Sequence, residues 1–110
     1  MTVNTLCKLS DIKDGDSAAF SINFNGKPKS LLAVRRDNEV FVYFNSCPHT
    51  GAPLDIHAGK FLSKEKKHIL CSTHGALFKI EDGYCVFGPC RSSYLEAVPI
   101  IIEDDKVLII

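Results

Sequence analysis

Apolar and polar residues alternate along much of this chain. Phe20, Ile22 and Phe24 alternate with Ser21, Asn23 and Asn25, and Asn25-Gly26 follows at once. A period of two places one face of a strand toward a core, and Asn-Gly is a strong hairpin signal, so this stretch predicts a strand entering a tight turn. Leu31–Arg36 and Glu39–Phe44 are apolar, β-branched and aromatic runs separated by Asp37-Asn38. Two residues of turn chemistry between them predict a second hairpin. Ala76–Ile80 and Tyr84–Phe87 flank Glu81-Asp82-Gly83, and Val98–Glu103 and Val107–Ile110 flank Asp104-Asp105-Lys106. These read as two further hairpins. Pro99 has no N–H to donate and confines its part of the run to an edge or a strand start. No segment holds a helical period. Short strands at close spacing predict an all-β domain, an antiparallel sandwich or small barrel.

One stretch departs from this pattern. Ser46–Lys67 contains Pro48, Gly51, Pro53 and Gly59, then the charged run Lys64-Glu65-Lys66-Lys67. A long, poorly patterned loop inside a small domain is usually functional. With 110 residues the chain reads as one domain, 1–110. Hydrophobic content of 45% and charged content of 24% fit an ordinary globular domain. The formal net charge of zero provides no basic footprint for nucleic acid and no strong field for steering a charged partner. No apolar run approaches the roughly 20 residues of a membrane span. The start, Met1-Thr2-Val3-Asn4-Thr5, has neither a basic n-region nor an apolar h-region. The expectation is therefore a cytoplasmic monomer without membrane or nucleic-acid partners, whose five cysteines are thiols or ligands rather than a disulfide framework.

The departing loop begins with Cys47-Pro48-His49, and Cys71-Ser72-Thr73-His74 follows later. Each pair puts a thiolate and an imidazole within a turn of each other. Two Cys and two His make a complete ligand set, and soft thiolates select zinc, copper(I) or iron–sulfur centres. Pro48 stiffens the first pair, and Gly51 and Gly75 allow sharp turns that bring backbone amides close. A tetrahedral Cys2His2 zinc site uses the same residue types, but such sites often keep like ligands together, whereas here each loop mixes Cys with His.

Cys47-Pro48-His49-Thr50-Gly51-Ala52-Pro53-Leu54, Cys71-Ser72-Thr73-His74-Gly75-Ala76-Leu77-Phe78 and the later Gly88-Pro89 resemble the Rieske [2Fe-2S] family. The resemblance covers residues 40–100 and implies an all-β domain holding a [2Fe-2S] cluster on two loops. It implies that Cys47 and Cys71 hold the inner iron and that His49 and His74 hold the outer iron, two His replacing two Cys. The Gly88-Pro89 loop would cover the third side. High-potential members carry an extra Cys on each loop and Ser and Tyr donors after the second pair. The matching positions here are Ala52, Thr73, Ala76 and Phe78, which implies a low-potential, ferredoxin-type centre. Residues 50–70 separate the ligand pairs, a longer spacing than in most ferredoxins of the family, with the extra length expected in Gly59–Lys67.

His57 and His68 stand alone and read as ordinary surface or strand residues. Cys85 and Cys90 flank Gly88-Pro89; a redox-sensitive pair is one reading, and two buried or half-buried thiols the preferred one. Cys7 reads as a core residue, Lys64–Lys67 as a solvated loop, and Arg91 as a residue able to assist docking. With His49 and His74 assigned, His57 and His68 offer no 2-His-1-carboxylate spacing for a mononuclear iron. The function expected is transfer of single electrons from a reductase to an oxygenase or other terminal enzyme, through a weak, transient interface below about 1,200 Å². A small Rieske-like subunit of a larger redox enzyme, such as NADH-dependent nitrite reductase, is the alternative. A zinc-stabilised interaction module is the third.

Overall fold

The protein's computed structural model describes residues 4–24, 26–48, 54, 61–71, 75–88 and 92–110. Its strands are β1 (Asn4–Lys8), β2 (Ser17–Phe24), β3 (Lys27–Arg36), β4 (Glu39–Phe44), β5 (His68–Cys71), β6 (Ala76–Lys79), β7 (Cys85–Phe87), β8 (Ile100–Glu103) and β9 (Lys106–Ile109). They form three antiparallel sheets, ordered β1-β9-β8, β2-β3-β4 and β5-β6-β7. Among the described residues the one helical element is a 3-10 turn, Leu9–Asp11. No described helix is long and apolar enough to cross a membrane.

The middle sheet explains the longest apolar run. In a strand, successive side chains point to opposite faces. Leu31 and Ala33 of β3 join Val40 and Val42 of β4 in one core layer, with Cys7, Ile12, Val98 and Val107. Leu32 and Val34 join Tyr43 in the other layer, with Ile69, Cys71, Phe78 and Cys85. Leu31–Val34 are apolar without interruption because both faces of β3 are covered. One layer packs against the sheet of the chain ends, and the other against the β5-β6-β7 sheet that carries the second Cys/His loop.

The hairpins fall at the expected places. Phe24 pairs with Lys27 across residues 25–26, and Arg36 pairs with Glu39 across Asp37-Asn38. The last turn is one residue shorter than the sequence pattern predicts. Lys106 is in β9 opposite Glu103, leaving a two-residue turn with Asp104 and Asp105 at φ 52° and 60°. Two successive positive φ values are those of the turn whose twist matches that of its strands. The run Val98–Glu103 is not one strand: Pro99 divides it. Before it, Ala97 bridges to Tyr43, and the Val98 N–H donates to the Val42 carbonyl at 2.9 Å. After it, β8 pairs with β9. The sequence pattern also passed over two short strands. In β1 a bulge between Thr5 and Cys7 blurs the alternation, and in β5 the alternation rests on Ile69 and Cys71 alone. His68 is, as expected, a half-buried strand residue.

Tyr43 joins the middle sheet to the third one. Its hydroxyl donates to the Ile80 carbonyl at 2.6 Å, and its ring is 2% exposed. Burial, with smaller contributions from Asp82 and Glu81, pushes its pKa up to about 12, so it remains a donor throughout the ordinary pH range. Tyr43→Phe is expected to lower stability by about 1–2 kcal/mol, because the buried carbonyl loses this partner. Urea unfolding monitored by circular dichroism should show a lower midpoint with an unchanged slope.

Candidate metal centre

The two thiols assigned to the site come from different elements and enter the same core layer. Cys47 follows β4 by three residues and is 1% exposed; Cys71 ends β5 and is 0% exposed. Both belong to the layer containing Leu54, Phe61, Ile69, Ala76 and Phe78. On β5, Ile69 and Cys71 point inward, opposite Phe78 and Ala76 of β6. The Gly75 N–H donates to the Cys71 carbonyl at 2.9 Å. Gly75 has φ +69°, left-handed backbone that glycine adopts without strain.

Gly88, just after β7, is pressed against Ala76, the first residue of β6. Gly88 has φ +108°, and a Cβ placed on it would lie 2.8 Å from Ala76 Cα and 2.9 Å from Ala76 Cβ. Ala76 and Phe78 are both 0% exposed, so the positions that lack donor side chains are sealed in this layer. Pro48, beside Cys47, is exposed.

The first loop is held by a residue the motif reading did not single out. Asn45, two positions before Cys47, is buried; its Oδ1 accepts from the Leu54 N–H at 2.8 Å, and its Nδ2 donates to Ser30 Oγ at 3.2 Å. In the sequence it looks like turn chemistry after a strand. Only its burial distinguishes it.

His49 and His74 lie outside the described residues, as do Gly51, Ala52, Pro53, His57, Gly59, Thr73, Pro89, Cys90 and Arg91. The described residues therefore bring together the two assigned thiols. No disulfide joins any two of the described cysteines. Cys85 is buried in β7 and its Sγ donates to the Phe87 carbonyl at 3.3 Å, in keeping with a structural thiol. Cys7 sits in the opposite core layer, and burial, then Asp11, pushes its pKa up to about 11. It is an inert thiol at neutral pH. Lys64–Lys67 are exposed, as a solvated loop should be. Away from the site, Arg36 pairs with Glu81, and this hydrogen bond holds the Glu81 carboxyl below its ordinary range. Both side chains are about half exposed, so the pair contributes little.

The chemistry of the donor set fits an iron–sulfur group. Two thiols sit in an apolar layer that excludes water. Two imidazoles follow them in sequence.

The family model described as Rieske [2Fe-2S] domain matches residues 2–101. No curated protein sequence matches significantly. Among solved structures, a Sphingomonas yanoikuyae B1 ferredoxin is 30% identical with a TM-score of 0.75, covering 98% of this chain and 97% of its own. The ferredoxin of carbazole 1,9a-dioxygenase from Nocardioides aromaticivorans IC177 shares the fold at 22% identity and a TM-score of 0.75, over 99% of this chain and 97% of its own. A protein described as a nitrite reductase NADPH (small subunit) oxidoreductase shares it at 16% identity and a TM-score of 0.70, over 100% and 99%. With buried Cys47 and Cys71 on two loops of a three-sheet β fold, and with the family model matching nearly end to end, the chain belongs to the Rieske [2Fe-2S] domain family.

Proposed function

We propose that this protein is a ferredoxin-type carrier of single electrons, taking them from a reductase and delivering them to an oxygenase or other terminal enzyme in the cytoplasm. The supporting observation is its end-to-end likeness, 98% of one chain on 97% of the other, to a ferredoxin at 30% identity. When bound, the [2Fe-2S] cluster accepts and releases one electron at a time.

In this proposal Cys47 and Cys71 hold the inner iron, and His49 and His74 hold the outer one. Each protein group has a separate task. The buried thiols anchor the group in the apolar layer that β5 and β6 share with the middle sheet. Neutral imidazoles carry less negative charge than thiolates, which eases reduction relative to an all-cysteine set. Apolar neighbours keep water from the sulfurs. The imidazole edges form the electron exit toward a partner, across a small and transient interface.

The buried Ala76 and Phe78 set the direction of the potential. Neither side chain can donate a hydrogen bond to sulfur, so the added charge of the reduced state is less stabilised. Rieske centres as a class span about −150 to +300 mV. Redox titration is expected to place this protein in the low part of that range, and a midpoint well above +100 mV would contradict it.

The test of function is direct. Anaerobically purified protein should contain iron, show a reduced-state EPR signal, and pass electrons from a flavin reductase to an added acceptor as an isolated monomer. Zinc without iron would reject the proposal. The fold neighbour described as a nitrite reductase small subunit supports a second reading, a subunit of a larger redox enzyme. A stable complex on pull-down from source cells would favour that reading.

A further inference from the structure

Among the described residues Asn45 is the one polar side chain in the buried set. An amide is unfavourable there unless its hydrogen bonds are met. Those bonds tie two parts of the chain together. The Asn45 backbone N–H donates to the Ser30 carbonyl at 2.9 Å, and Nδ2 donates to Ser30 Oγ at 3.2 Å. Both contacts fix Asn45 to β3, the central strand of the middle sheet. On the other side Oδ1 accepts from the Leu54 N–H at 2.8 Å. Leu54 is 0% exposed and shares the core layer of Cys47 and Cys71. The Asn45–Leu54 bond therefore closes a ring, residues 45–54, and Cys47-Pro48-His49 lies inside it.

We infer that Asn45 is a positioning residue for the first ligand loop: it pins the return of the loop to its origin and both to β3, so that the Cys47 thiol is held in place before the metal group arrives. This rests on the ligand assignment proposed above. A loop with both ends fixed loses less conformational entropy when its side chains bind. Partners that orient ligands typically change metal retention by about 10- to 100-fold when removed. The side chain suits the task. A neutral amide offers an acceptor to Leu54 and a donor to Ser30 at once, and adds no charge beside a group whose potential responds to charge. Leucine would match its size in the apolar layer but would leave the buried Leu54 N–H without this acceptor.

The test compares the wild-type holoprotein with Asn45→Leu and Asn45→Asp. Three quantities are read: reduced-state EPR g-values, midpoint potential, and the rate of bleaching by an iron chelator well below the unfolding temperature. Asn45→Leu is expected to bleach about 10- to 100-fold faster, with shifted g-values, while its strand circular dichroism is unchanged. Asn45→Asp keeps an acceptor for Leu54, and the Ser30 hydroxyl can turn to donate to it. It should bleach at close to the wild-type rate with a more negative midpoint. A purely structural Asn45 would lower the unfolding temperature and leave g-values, midpoint and bleaching alone; that result overturns the inference. If Asn45→Leu does not fold, hydrogen exchange on the wild-type protein decides. The Leu54 amide should exchange as slowly as the amides of β3, and fast exchange overturns the clamp. Wild-type protein with no Rieske spectrum would overturn both the ligand assignment and this inference. A wild-type spectrum beside an unaffected Asn45→Leu overturns this inference alone.

Discussion

Protein carrying His74→Ala is expected to purify without the Rieske visible and EPR spectrum, and Cys71→Ser without a stable cluster. The two substitutions fail for different reasons. Cys71 ends β5 in cross-strand pairing with Ala76, fully buried among Ile69, Phe78 and Phe61. Water cannot stand in for its thiol in this buried layer. Serine there is a harder, more basic oxygen ligand, poorly matched to an iron–sulfur group. His74 follows Cys71 by three residues in the sequence, and in the proposed assignment its loss removes one of the imidazoles that distinguish a Rieske centre from an all-cysteine one. Binding of such a group contributes to folding, so both variants should also unfold at lower temperature than the holoprotein. Visible absorption, EPR of the dithionite-reduced protein and iron content per chain provide the check. A normal Rieske spectrum in His74→Ala would refute its assignment as a ligand.

The second large effect is expected at Gly88, which is not itself in the proposed ligand set. Gly88→Ala should destabilise the protein by about 3 kcal/mol, combining left-handed backbone strain and overpacking, each worth about 1–3 kcal/mol. The added methyl would meet Ala76 Cα at 2.8 Å and Ala76 Cβ at 2.9 Å, and the first of these is backbone that cannot swing aside. Ala76 is paired with Cys71, so displacement of one strand is felt at the ligand of the other. For a domain of this size the melting temperature should fall by about 10–20 °C. Cluster loss should precede unfolding, because the strain falls on Ala76, the cross-strand partner of Cys71. Ala76→Gly in the Gly88→Ala background should recover part of the loss, since the two residues share one contact. Thermal denaturation read in parallel at visible and far-ultraviolet wavelengths would check both statements. A Gly88→Ala protein as stable as wild type would contradict the close approach.

Local chemistry made most strands legible in the sequence. Asn25-Gly26 and Asp37-Asn38 set their hairpin registers because a two-residue turn leaves one pairing open to the flanking strands. Pro99 marked the beginning of β8 because it lacks a donor. What was less legible has a physical cause in each case. The boundary at Lys106 moved because Asp104 and Asp105 both accept left-handed backbone, which a composition count of turn residues does not reveal. β1 and β5 are less legible because a bulge interrupts the first and the second follows a charged loop with no turn pair ahead of it.

The candidate site divides along the same line. Cysteine and histidine chemistry marks Cys47, His49, Cys71 and His74 as a candidate ligand set. The four residue types and their mixed order are local properties, and they survive in any fold. The roles of Asn45, Gly88 and Tyr43 are not local. An asparagine before a loop is ordinary until the tertiary structure brings Leu54 and Ser30 to its amide. A glycine before a proline is ordinary until Ala76 lies where its side chain would be. The sequence by itself determined the strand pattern, the donor set and the absence of side-chain donors at Ala76 and Phe78. Only the tertiary structure decided which thiols are sealed in one layer, what holds the first loop to β3 and which residue Gly88 is pressed against, because burial and close approach belong to pairs of residues distant in the chain.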